Sequence, residues 1–410
     1  MERRGALAGV TILDFTERMQ GPYATQMLAD MEADVIKVER RESLTPDGRP
    51  DDRYGERGSY GSDPDDSKIY SAGFLACNRN KRSITVDLKN PRGLEMIERL
   101  VQQVDVVYEN FRPGVMDRLG MGYERARQLN PGIIYASATG YGPDGPYAGK
   151  PGQDVLVEAL TGWGAINGDS TGRPVPVGTA IADTLGAMNG AFAVACALHH
   201  RAVTGEGQKV DVCLFDSALA ALAEWGVHFL NTSIGEPRRT PATHASPYTP
   251  PPYGFYKTQD GYIALSSGRQ LRILSQILGV EDLSEDPDYA TYWPRFENRE
   301  QFSKHIEQAL AAKTTAEWVE LMEKEDMFVA PVNSFSGAFA DPQVAHNEMV
   351  RVVHSPIGDL KLLGPPYRLS ETPATVRTPP PQHGQHTDEV LLERGFSVEE
   401  IAELRTQNAI

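Results

Sequence analysis

Alternation between short β-branched runs and helical patterns along the N-terminal half most restricts what this chain can fold into. "GVTILDFT" and "ADVIKVE" flank the helix-like "GPYATQMLADM". "SITVDL" precedes "PRGLEMIERLVQQV", which runs into "DVVYENF", and "YERARQLN" precedes "GIIYASATGYG". Strand-like runs separated by helical stretches of about 10–15 residues build βαβ units, whose sheet is parallel and buried on both faces. The predicted fold class is α/β: a large Rossmann-like, doubly wound parallel-sheet domain plus a smaller α+β domain. Such a sheet binds ligands at the carboxyl ends of its strands.

Beyond this half, helical patterns are expected over about 181–203 and 216–230, with "TGEGQKVDVCLF" as a turn and strand between them. Gly186, Gly190, Ala193 and Ala197 recur on one face of the first and permit close packing. "GEPRRTPATHASPYTPPPYG" reads as an exposed Pro-rich linker whose final aromatics could cover a site. It leads into a hairpin, "GFYKTQDGYIALSS", turning at Asp-Gly. Ser397 and Glu400 form a capping box at the last helix. The expected division is 1–225 for the large domain, 226–332 for the linker and small domain, and 333–410 for the closing segment.

Length and charge narrow the function. At 410 residues, with 40% hydrophobic and 23% charged, the chain can bury a large core. A net charge of −16 argues against a nucleic-acid partner, while local basic clusters could still hold a small anion. The most apolar run, around "GAFAVACAL", is short of the roughly 20 residues a bilayer requires, so no membrane association is expected. The start "MERRGALAGVTILDFT" leads into a strand instead of a cleavage site, and a cytoplasmic protein is expected. Cys77, Cys196 and Cys213 match neither a disulfide framework nor a metal site, so they are expected reduced and mostly buried, with no metal bound.

Three features could carry chemistry. "GYGPDG", Gly140 to Gly145, is a GxGxxG after a predicted strand. Pro143 and Pro146 deny it the helix a pyrophosphate needs, and no ribose-binding acid follows, so a flexible loop near a ligand is the better reading. Asp154, in "PGQDVLVEALTG", stands at a predicted helix start. There a carboxylate can cap the helix or serve as a nucleophile, and the residues alone leave both open. Finally Arg18, Arg40, Arg79, Lys81, Arg82, Lys89, Arg112 and Arg118 gather near strand ends and Gly-rich turns. Each alone is ordinary surface charge; as a set they suggest an anionic ligand.

At this point the chain resembles the class III CoA-transferases (CaiB/BaiF family), the group of formyl-CoA:oxalate and carnitine CoA-transferases. The resemblance rests on "LAGVTILDFT", "GPYATQMLADMEADVIKVER", "NRNKRSITVDLKNPRG", "DVVYENFRPGVMDRLGMGYE", "LNPGIIYASATGYGPDGP", "GQDVLVEALTG", "TGEGQKVDVCLFDSAL" and "GQHTDEVL", which occur in family order along nearly the whole chain. It implies that Asp154 is the nucleophile, passing through a mixed anhydride and an aspartyl-CoA thioester, with acyl-CoA and a small carboxylic acid as substrates and no cofactor. It places CoA near Arg18, Met19, Arg40, Val86, Asp87, Leu88, Lys89, Asn110, Phe111, Arg112, Arg118, Thr139, Gly140 and Tyr141. Arg40, Lys89 and Arg118 would meet phosphates and Phe111 the adenine or pantetheine. It also implies a ring-like protomer interlocked with its twin in a homodimer, the closing segment returning to complete the large domain.

The chain departs from formyl-CoA:oxalate enzymes in placing Met19, with Gln20 next to it, where they have an acceptor-binding glutamine. It also lacks their glycine-rich small-domain loop and carries Glu32 for a common glycine. Two alternatives stand beside CoA transfer. A 2-methylacyl-CoA racemase on the same fold would need a histidine before the aspartate, where this chain has Gln153, and the first histidine anywhere is His199. A non-catalytic acyl-CoA-binding protein would not need an exposed carboxylate beside the thioester.

Overall fold

A computed structural model describes residues 5–41, 72–168, 172–233, 235–237, 239, 244–355 and 358–410. Six strands form one sheet: β1 (Thr11–Asp14), β2 (Asp34–Arg40), β3 (Lys81–Val86), β4 (Val106–Glu109), β5 (Ile134–Thr139) and β6 (Lys209–Cys213). Their order is β3-β2-β1-β4-β5-β6 and every pairing is parallel. The chain reverses its winding between β1 and β4, and this switch point opens a crevice at the strands' carboxyl ends.

Successive residues of each strand face opposite sides, which is why the strands read as unbroken apolar runs. Leu13, Ile36, Ile84 and Val107 join one buried cluster with the helices Pro91–Val101, Thr387–Glu393 and Val398–Thr406. Ile12, Val35, Val106 and Ile134 join a second with Gln20–Asp30 and Ile181–Thr204. The C-terminus closes on β3: the Asp87 N–H donates to the Ala409 carbonyl at 2.8 Å and that of His386 to Ser83 at 2.8 Å.

Ile181–Thr204 lies close to the sheet because Gly186 and Gly190 have no side chains. A Cβ on Gly186 would stand 2.7 Å from Gln20 Nε2, and one on Gly190 would collide with the Tyr108 hydroxyl. At 24 residues the helix is long and apolar enough to cross a bilayer, so the short run weighed in the sequence understates it. Its Gly186, Gly190 and Val194 face is nonetheless buried in the fold, and Arg201 pairs with Asp105 at 2.7 Å.

Two compact units emerge: residues 1–157, 180–221 and 342–410, and residues 158–179 and 222–341. The expected boundaries therefore shift. Residues 158–179 join the second unit because Arg239 donates to the Gly164 and Ala165 carbonyls at 2.6 and 2.8 Å. The closing segment begins at 342, not 333, since the helix Phe335–Ala340 stays with the second unit. The helix expected over 216–230 is two, Leu214–Ala220 and Ala223–Asn231, broken where Leu222 leaves helical geometry at ψ 15°.

The second unit is built on an antiparallel sheet of β7 (Tyr253–Lys257), β8 (Tyr262–Ser266) and β9 (Val329–Pro331), packed by Tyr256, Phe302 and Trp318. The first unit carries a hairpin of β10 (Val350–Ser355) and β11 (Gly358–Leu363). Of the Pro-rich stretch, residues 246–248 and 250–252 are buried, against the expected exposed linker, because Tyr248 packs on the Trp225 and His228 rings. Its residues 238 and 240–243 lie outside the described residues. Ser397 and Glu400 form the expected capping box. Cys77 and Cys213 are buried, but Cys196 is exposed, on the outer side of Ile181–Thr204.

Candidate active site

Asp154 is the first residue of the helix Asp154–Thr161, yet its carboxylate serves another helix. Its Oδ1 accepts the N–H of Ala182 at 2.7 Å and that of Asp183 at 3.3 Å, both in the first turn of Ile181–Thr204. Capping therefore occurs across the fold. Among the described residues no protein donor reaches Oδ2, which leaves one oxygen oriented and unengaged.

Glycines set the approach to this carboxylate. Gly140, just past β5, and Gly152, shortly before Asp154, lie back to back, and a Cβ on Gly140 would stand 2.5 Å from the Gly152 Cα. The Phe215 N–H anchors the Gly140 carbonyl at 3.1 Å. Beside this contact runs a cleft of about 110 Å³, lined by Asn110, Phe111, Arg112, Thr139, Tyr141 and Lys150 among others. Thr139 Oγ1 accepts the Gly142 N–H at 2.9 Å, and the Tyr141 ring meets Tyr147 edge-on at 5.6 Å, so the loop is held from both sides. Because this loop follows β5 and the next helix begins only at Asp154, no helix N-terminus is offered to a pyrophosphate here.

The remaining residues implied in CoA binding fall on the same rim. Asn110 spends its amide on Glu17, accepting its N–H at 2.8 Å and donating to its carbonyl at 2.7 Å, and so ties the end of β4 to the end of β1. Arg18 follows in a left-handed conformation at φ 70°. Arg40, at the end of β2, pairs with Glu17 at 3.1 Å, so its guanidinium is shared with that acid. Met19 is half-buried, and neighbouring Gln20 is buried against Gly186, its Nε2 without an acceptor among the described residues.

Val86 ends β3 in the core, Asp87 after it binds the C-terminal backbone and Leu88 packs on the same cluster, so Lys89 is the exposed cationic head of this run. Phe111 is also packed on that cluster and is half-buried where it lines the cleft. Lys89, Arg112 and Arg118 are exposed and have no carboxylate partner among the described residues. Three of the gathered basic residues are structural instead. Arg79 is buried on Asp30 at 2.6 Å, Lys81 on Asp14 at 2.9 Å, and Arg82 pairs with Asp34 at 2.7 Å and with Glu389 and Glu393.

Asp183 was not legible as a site residue. Burial pushes its carboxyl up to about 6, and the charge of Asp154 adds to the effect. The only sequence signal is an acid in the first turn of a predicted helix, with nothing tying it to Asp154. In the second unit, His244 bonds Ser303 at 2.7 Å and is pushed down to about 4, by burial first and Arg299 second.

The profile of CoA-transferase family III matches residues 7–387. The chain belongs to CoA-transferase family III. It is 36% identical over 392 residues to succinyl-CoA:glutarate CoA-transferase of Mus musculus, covering 94% of this chain and 86% of that enzyme. It is 33% identical over 399 residues to succinyl-CoA:mesaconate CoA-transferase of Haloarcula hispanica, covering 95% and 97%. A CaiB/BaiF family protein from Brucella suis superposes with a TM-score of 0.82 at 32% identity, over 95% of this chain and all of that one.

For a family III enzyme, the glycine contact beside Asp154 carries a direct expectation. Gly152→Ala should lose about 1–3 kcal/mol of stability through overpacking against Gly140. It should also lower turnover by at least about tenfold, through the displacement of Asp154. Gly149→Ala, where a Cβ meets open space, should change neither. Chemical denaturation and turnover of the two variants check this.

Proposed function

We propose that this protein moves CoA from succinyl-CoA to a small dicarboxylic acid, with Asp154 as the nucleophile. The supporting observation is its carboxylate, pinned through Oδ1 by two N–H groups with Oδ2 unengaged among the described residues, two positions after Gly152, which lines the glycine-framed cleft. The dicarboxylate choice follows the succinyl-CoA:glutarate and succinyl-CoA:mesaconate enzymes, which this chain resembles over most of its length.

Oδ2 attacks the thioester carbonyl, the C–S bond breaks and the thiolate leaves with its electron pair, giving a mixed anhydride. The thiolate then adds to the aspartyl carbonyl, whose C–O bond breaks to release the donor acid as a carboxylate and leave an aspartyl-CoA thioester. The acceptor carboxylate repeats the two steps in reverse, so one difficult exchange becomes a series of acyl transfers. N–H groups of the loop 139–152 are suited to the developing oxyanions, and Lys89, Arg112 and Arg118, with no carboxylate partner among the described residues, are cations that CoA phosphates would take.

Incubation with succinyl-CoA and glutarate should yield glutaryl-CoA by mass spectrometry. Absence of any CoA ester of a supplied dicarboxylic acid would overturn the reading. Solvent deuterium at the α-carbon of a 2-methylacyl-CoA would indicate the racemase instead.

The enzyme is further proposed to work as an interlocked homodimer. Met188, Phe192 and Val203 are 52, 71 and 72% exposed along Ile181–Thr204, apolar surface that a second copy would cover. Phe192→Glu is expected to weaken the dimer at least about tenfold in sedimentation velocity, because a charge would be buried there. An unchanged dimer would place the interface elsewhere.

A further inference from the structure

The chemistry above leaves the half-buried acid Asp183 unused. Its N–H reaches Asp154 Oδ1 at 3.3 Å, so the Asp154 carboxylate caps the turn of Ile181–Thr204 that carries Asp183. The titratable groups facing it are Asp154 and, from the helix Ala72–Cys77, the buried thiol of Cys77. Gln20 faces the next turn and is uncharged. The nearby cations are directed elsewhere: Lys81 to Asp14, Lys37 to the Thr16 carbonyl and Arg79 to Asp30. Among the described residues no salt bridge joins a cation to Asp183, and burial followed by the Asp154 charge pushes it up to about 6.

We propose that Asp183 is a positioning residue which, when ionised, drives acylation of Asp154 through a charge repulsion that acylation removes. The inference rests on Asp154 being the nucleophile. In the resting enzyme the Asp154 carboxylate lies against the backbone of Asp183, and its charge acts on the half-buried Asp183 carboxyl. When the thioester has formed and the donor acid has left as a carboxylate, one negative charge has departed and a neutral aspartyl thioester stands beside Asp183. Repulsion is thus present before the reaction and absent after it, which favours the covalent intermediate. Protonation of Asp183 abolishes the effect.

The test is the equilibrium between free enzyme and aspartyl-CoA thioester, at fixed succinyl-CoA and succinate, read by acid quench and intact mass from about pH 5 to 8. The ratio of wild type to Asp183→Asn cancels the titration of succinate and CoA. It is expected to rise about three- to tenfold with pH, centred near 6, since one unit of coupling is tenfold. Asp183→Glu, which keeps the charge, should follow the wild type.

Stability gives a second readout. A carboxyl raised from 3.8 to about 6 binds its proton more tightly in the folded state, so its contribution weakens as pH rises through that window. Asp183→Asn should therefore melt higher than wild type at pH 8, with the advantage shrinking below pH 6 and lost towards about pH 4. A flat ratio with the adduct still forming would overturn the inference alone. Failure of both Asp183→Asn and Asp183→Ser to fold would show a structural residue and overturn it too. No adduct in wild type with any acyl-CoA would remove the nucleophile and the inference with it.

Discussion

Asp154→Ala is expected to lower CoA transfer by about four orders of magnitude or more, because the nucleophile and every covalent intermediate on it are lost together. The same substitution removes the acceptor for the Ala182 and Asp183 N–H groups, with an expected stability loss of about 1 kcal/mol. Asp154→Asn separates the two roles. Its amide oxygen can still accept both N–H groups, so stability should return while transfer does not. Urea denaturation and a succinyl-CoA assay on the two variants decide it, and transfer surviving in Asp154→Asn would exclude the carboxylate as nucleophile.

Lys81→Met should have the largest effect on stability, a loss of about 3–5 kcal/mol, because it strands a buried carboxylate. Lys81 is 2% exposed and donates to Asp14 at 2.9 Å, to the Pro22 carbonyl at 2.9 Å and to Asn78 Oδ1 at 2.9 Å. Asp14 also accepts from Thr25 at 2.7 Å. Burial alone would raise the Asp14 carboxyl, but Lys81 and Lys37 hold it below the usual range. Burial pushes Lys81 down to about 8 despite its partner.

The sign of the pH effect follows. Between about 8 and 10.5 the unfolded chain binds the Lys81 proton more tightly, so this group's contribution to stability rises with pH across that window. The pair lies under the end of β1, which leads into Arg18 and Met19, so the cation that read as a ligand contact supports the rim instead. A loss below about 1 kcal/mol on urea denaturation would contradict this. Replacing both partners, Asp14→Leu with Lys81→Met, should recover part of the loss.

The sheet was legible because burial on both faces writes each strand as a continuous apolar run, and helical stretches between runs dictate parallel pairing. Asp154 stood out in the sequence as a helix-start acid in a glycine setting, open between cap and nucleophile until the family resemblance was added, and Gly140 and Gly152 prove to be in mutual contact. What the sequence concealed lies in long-range pairing. Composition does not distinguish Lys81, buried on Asp14 from the amino end of β3, from Lys89, exposed beyond its carboxyl end. Asp183 looked like an ordinary first-turn acid because the loop and helix bringing it to Asp154 separate the two in sequence. The Pro-rich stretch misled because Tyr248 finds Trp225 and His228.

The most direct test is to mix the protein with succinyl-CoA alone, quench in acid and locate any added mass by peptide mapping. The predicted result is a CoA thioester on the peptide containing Asp154, converted to a hydroxamate by hydroxylamine and absent from Asp154→Asn. An enzyme that transfers CoA with no adduct on that peptide, or with an adduct on a different residue, would contradict the account.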